Sequence, residues 1–139
     1  MANKHNVNQN PRVIVIQKLY SMQLNPDAEI TFQKNRYKKF IKDIVLGSNE
    51  RKDLIDEIIY KYLSEDMDLK RTEKILILIL RAAIFELLYR PQTSINVIIN
   101  EYINTAKIFV DESQKNFLNA LMDKISKKIR DKNEWVYNY

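Results

Sequence analysis

The chain has 139 residues, one domain's length, with 45% hydrophobic residues and enough of them to bury a real core. Twenty-three Lys and Arg against 18 Asp and Glu give a net charge of +5, a balance that favours polyanions such as nucleic acid. With no Cys, a disulfide scaffold, a thiolate metal site and a thiol nucleophile are all excluded.

The first segment, MANKHNVNQ, is polar and Asn-rich, and flexibility is expected for residues 1–9. It lacks an apolar stretch and so is not a signal peptide. Asn10-Pro11 then reads as a helix start, with Asn as N-cap and Pro at the first helical position. This helix runs to Leu24, with Ile16, Leu19 and Tyr20 on one face, and Asn25-Pro26-Asp27 ends it. A second helix is expected from Thr31 to Leu46, with Tyr37, Phe40, Ile41, Ile44 and Val45 at helical spacing. Gly47, the single glycine, reads as its left-handed cap, and Ser48 as the N-cap of a third helix. Leu54, Ile55, Ile58, Tyr62 and Leu63 form the inner stripe of that helix.

Residues 64–69 are an acidic loop. From Leu69 to Tyr89 the sequence contains ILILIL, which looks like a strand. It continues through RAAIFELL without a turn signal, and such a length predicts a helix that is apolar all round, hence central and buried. Pro91 breaks it. Thr93 or Ser94 caps the fifth helix, whose inward residues are Ile95, Ile98, Ile99, Tyr102, Ile103 and Ala106. Asp111 and Gln114 have capping-box spacing for a sixth, with Phe117, Leu118, Leu121, Ile125 and Ile129 as its stripe. Residues 131–139 form a polar-aromatic tail, expected to be flexible. The whole is expected to be one all-α domain. The longest apolar run, Ile75 to Leu80, is far too short to span a membrane, so a cytoplasmic location is expected.

Chemistry-bearing clusters are few. The one His, His5, lies in the polar N-terminal segment, no Gly-rich loop could cradle phosphates, and the carboxylates are scattered. No catalytic residue, metal site or cofactor site is expected, and an enzyme has little support. Two basic runs stand out: Lys34, Arg36, Lys38, Lys39 and Lys42, and Lys124, Lys127, Lys128, Arg130 and Lys132. Each is a candidate nucleic-acid contact or simply a solvated helix face. Phe117, preceded by Lys115 and Asn116, could stack a base or anchor its helix in the core. Glu86, between Phe85 and Leu87, is a carboxylate in an apolar helix and requires a cationic partner, either an internal arginine such as Arg81 or a residue of another protein.

The segments IQKLYSMQL, FIKDIVLGS, LR…FELL, INE…AK and NFLNALMDK follow one another in an order that resembles the NusB family of transcription antitermination factors. The resemblance covers the chain from about Arg12 to Arg130. It implies a fold of two small helical bundles packed together, without catalytic activity. It also implies a pairing with a small-subunit ribosomal protein acting as NusE. Together the two would bind the single-stranded boxA element of nascent ribosomal RNA, within an RNA polymerase complex that resists premature termination.

Residue by residue, the resemblance implies partner contacts at Tyr20 and Glu86, and RNA contacts at Arg12, Arg90, Lys115, Phe117 and Asn119. On this docking scheme Glu86→Lys should abolish partner binding with the fold intact. The chain departs from the family pattern in keeping only Arg12 of an Arg-rich N-terminal motif, and in having Val110 and Ala120 where Gly is usual. Every phosphate left without its cation lowers the salt slope by about 0.7 for a single strand. The sparse arginines leave open a second reading, a NusB-like helical adaptor that binds protein with little or no RNA affinity.

Overall fold

The structure, a computed structural model, describes residues 10–63 and 73–132, and side-chain surroundings through residue 130. The described residues form six helices: α1 (Pro11–Leu24), α2 (Lys38–Glu50), α3 (Lys52–Tyr62), α4 (Lys74–Tyr89), α5 (Ile95–Phe109) and α6 (Glu112–Lys132). The expected flexible ends, the acidic loop and the helix start at Leu69 lie wholly or largely outside the described residues.

Helix starts follow the expected chemistry at three places. The Asn10 side chain accepts from the Arg12 amide at 2.9 Å, with Pro11 opening α1. Ser94 accepts from the Val97 amide at 3.2 Å. At the start of α6 the capping box is reciprocal: the Gln114 amide donates to Asp111 Oδ1 (2.8 Å) and the Asp111 amide to Gln114 Oε1 (3.1 Å).

The second helix differs from expectation. It begins at Lys38 and not at Thr31, because the Asn35 side chain accepts from the Tyr37 amide at 2.8 Å and holds a turn there. The loop before it is tied to α1 by Lys18 Nζ, which donates to the Thr31 carbonyl at 2.7 Å. Gly47 does not end the helix. It lies within α2, where a Cβ would stand 2.3 Å from Phe85 Cζ. Its function is therefore close approach of α2 to α4. Ser48 is also inside α2, buried, and its hydroxyl donates back to the Ile44 carbonyl at 2.6 Å instead of capping α3. Such back-bonding bends helices, and the chain turns at Arg51 between α2 and α3.

Helix α4 is central: it packs against every other helix, while α1–α2–α3–α6–α5–α1 close a ring of neighbours around it. This accounts for its near-continuous burial from Leu76 to Leu88, interrupted at Arg81. Each fully buried Ile or Leu there contributes about 1.5–3 kcal/mol of apolar burial. The two small bundles are α1–α3 and α4–α6, and a single apolar cluster runs through both.

Candidate functional site

Glu86, the carboxylate in the apolar run, is wholly buried on α4. Its partner is Arg12, from the first turn of α1. Arg12 Nε donates to Oε2 at 2.9 Å and Nη2 to Oε1 at 2.7 Å, a bidentate pair. The Tyr102 hydroxyl of α5 donates to Glu86 Oε2 as well. Three helices are thus joined at one carboxylate. Burial acts to lower the Arg12 pKa, but the hydrogen bonds and charge of Glu86 outweigh it and raise the value above that of a free arginine. Burial, reinforced by the Glu86 charge, holds the Tyr102 phenol neutral well above the usual tyrosine range. Arg81, the other internal candidate, instead forms a bidentate pair with Asp56 of α3, both bonds 2.7 Å.

The arrangement changes what two expected site residues can do. Glu86 presents no accessible atom to a protein partner, and the Arg12 side chain is only 12% exposed. Removing one member of a buried pair costs about 3–5 kcal/mol. Glu86→Lys therefore strikes the fold and is not a clean test of partner binding. Tyr20, two turns beyond Arg12 on α1, is 42% exposed.

Phe40 of α2 organises the neighbouring surface. Its ring lies 4.9 Å from the Arg12 guanidinium and 5.1 Å from that of Arg90. Two expected RNA-contact arginines, 78 positions apart in the chain, thus meet at one ring. Arg90 Nε is buried without a hydrogen-bond partner. The turn carrying Arg90 is held by Arg130, which donates to the carbonyls of Leu87 (2.7 Å), Arg90 (3.3 Å), Thr93 (3.2 Å) and Pro91 (3.4 Å). Burial lowers the Arg130 pKa.

The remaining expected contacts lie at the start of α6. Lys115 Nζ pairs with Glu112 at 2.8 Å. Phe117 is half-buried and packs against the core, while Asn116 and Asn119 are exposed. Sequence reasoning did not identify Phe40 or Tyr102 as part of this region. Tyr102 had a signal, since a phenol on an inward stripe needs a hydrogen-bond partner. Among the described residues no group of His, Asp or Glu could hold a metal ion, and no helix is long and apolar enough to cross a membrane.

Comparison with known proteins agrees with this architecture. A family model described as the NusB family matches residues 4–127. A Mesorhizobium japonicum protein named transcription antitermination protein NusB is 34% identical over 92 residues, which are 66% of this chain and 59% of that one. This chain thus spans less than two thirds of that relative. A protein of the same name from Novosphingobium aromaticivorans is 28% identical over 122 residues, 88% of this chain and 82% of its own length. Among solved structures, T. maritima NusB superposes with a TM-score of 0.77 at 27% identity, over 86% of this chain and 90% of that one. With its family match, its ring of helices around α4 and its ordered motifs, the chain belongs to the NusB family.

Proposed function

We propose that the chain is a non-catalytic transcription antitermination factor. With the small-subunit ribosomal protein that acts as NusE, it binds the boxA element of nascent ribosomal RNA transcripts and suppresses premature termination by RNA polymerase. The observation that carries this reading is the match, over nearly all of the chain, to proteins named for transcription antitermination. Exposed Tyr20 supports a protein-docking face on α1. Glu86 then acts on that face indirectly, by holding Arg12 and with it the start of α1. Asn119, with the accessible part of Phe117 and Lys115, supports an RNA contact at the start of α6.

A second reading, a protein-binding adaptor with little RNA affinity, is favoured by one specific observation. Arg12 and Lys115, both expected to meet phosphate, are each paired with a carboxylate of the chain itself. Fluorescence anisotropy of a boxA-like RNA separates the two readings. It is run with and without NusE at two salt concentrations, against a scrambled RNA. Selective binding that tightens with NusE is expected. Binding of NusE without selective RNA binding would contradict the antitermination reading and support the adaptor.

A further inference from the structure

We propose that a single strand of RNA crosses the outer face of α2, its phosphates held by Lys42, Arg51 and Arg90 and one base stacked on Tyr37. The proposal rests on the RNA-binding reading above and supplies it with a surface. Arg12 is the first place to look for a phosphate contact, but its donors Nε and Nη2 are already on Glu86. Free cations must come from elsewhere.

Three separate parts of the chain supply them to one place. Lys42 of α2, Arg51 between α2 and α3, and Arg90 after α4 line a groove of about 410 Å³, with Tyr89 beside them. Arg51 lies 4.7 Å over the Tyr89 ring, as Arg90 lies over Phe40. Cation–π contact fixes each guanidinium while occupying none of its N–H donors. Asp43 and Glu50 also line the groove, leaving it with one net positive charge. Glu50 reaches Arg51 only at 3.8 Å, beyond hydrogen-bonding distance. The Nε of Arg90 is buried without a hydrogen-bond partner, so no acceptor among the described residues occupies it.

The other end of the face has the complementary feature. Arg36 sits 5.0 Å over the ring of Tyr37, which is 38% exposed. Both line an open cleft of about 800 Å³ with Asn10, Arg12 and Asn35. Exposed Lys39 follows on α2, and Phe40, touched by Arg12 and Arg90, joins cleft to groove. Cations tracking a backbone with an exposed aromatic ring between them is the chemistry of single-strand binding.

The test measures RNA affinity against salt concentration for the full chain, for Lys42→Gln/Arg51→Gln, and for a control of equal charge change, Lys74→Gln/Lys107→Gln. Both control lysines are exposed and lie off this face. Circular dichroism confirms that all three are folded. The groove pair should lower the salt slope by about 1.4, at about 0.7 per single-strand contact, for boxA-like and scrambled RNA alike. The control should keep the full slope. Tyr37→Ala should weaken binding by on the order of tenfold. If the protein binds boxA-like RNA selectively and the groove pair keeps its slope, or the control loses as much, the α2 site is overturned while the RNA-binding reading stands. An unchanged affinity in Tyr37→Ala overturns the stacking step. A protein that binds no RNA, alone or with NusE, overturns both.

Discussion

Arg12 and Arg90 meet the same ring, Phe40, yet their surroundings differ. Arg12 is closed in by Glu86 and Tyr102, so its charge is satisfied within the fold. Arg90 rests on Phe40 with its Nε unpartnered, on a turn anchored by Arg130. The comparison teaches that an arginine's part in this molecule depends on whether a carboxylate of the chain has reached it. Proximity to an expected binding surface does not decide it. The two basic runs repeat the point. On α6, Arg130 is engaged by backbone carbonyls and Lys127 by Asp123 at 3.3 Å. On α2, Lys39 and Lys42 stand exposed on one side of the helix.

The contrast can be broken most sharply at Glu86. Glu86→Ala should cost about 3–5 kcal/mol, because Arg12 and Tyr102 lose their common acceptor inside the core. Urea unfolding reads this as a lower midpoint at unchanged slope, and a loss below about 1 kcal/mol would mean that the site relaxes or admits water. Tyr102→Phe should cost about 1.5–3 kcal/mol at neutral pH, the range for a hydrogen bond to a charged group.

The same variant carries a pH signature. The folded Tyr102 pKa is raised, so its stabilising effect is fully present below the unfolded value of about 10 and is lost as pH rises through the folded value. The stability gap between the parent chain and Tyr102→Phe should therefore narrow above about pH 10. A gap that stays constant to higher pH would show that the phenol is not held neutral by its burial beside Glu86.

Smaller effects sharpen the picture. Gly47→Ala should cost about 1–3 kcal/mol in the same unfolding assay, since the new Cβ displaces the Phe85 ring. Asp111→Ala should cost about 1 kcal/mol through loss of the cap on α6. Arg90→Gln should change stability by no more than about 1 kcal/mol, the worth of its contact with Phe40. It should nevertheless lower the RNA salt slope by about 0.7. A large stability loss in Arg90→Gln would place it beside Arg12 as a structural residue.

Much of the fold was legible in the sequence, because it is written in local chemistry. The caps at Asn10, Ser94 and Asp111 and the all-round apolar character of α4 depend on residues near one another in the chain. The misread positions depend on distant ones. Gly47 looked like a helix terminator, whereas it is there because the space above it is occupied by Phe85, which no local pattern reveals. The Asn35 turn outweighed the helical spacing of Tyr37 and Phe40 at the start of α2. At the site, the need of Glu86 for a cation was readable from burial alone. Which arginine would supply it was not: Arg81 was nearer in sequence, but Asp56 holds it, and Arg12 arrives from 74 positions away. The groove at Lys42, Arg51 and Arg90 was hidden for the same reason.

The commitment of Arg12 to Glu86 is tested most directly by a double-mutant cycle. Urea unfolding would be measured for the parent chain, Arg12→Gln, Glu86→Gln and the double variant. A coupling of about 2–3 kcal/mol, with the double variant clearly more stable than the two single losses would add up to, is the predicted result. Additivity within about 0.5 kcal/mol would contradict it and return Arg12 to the surface as a cation free for RNA.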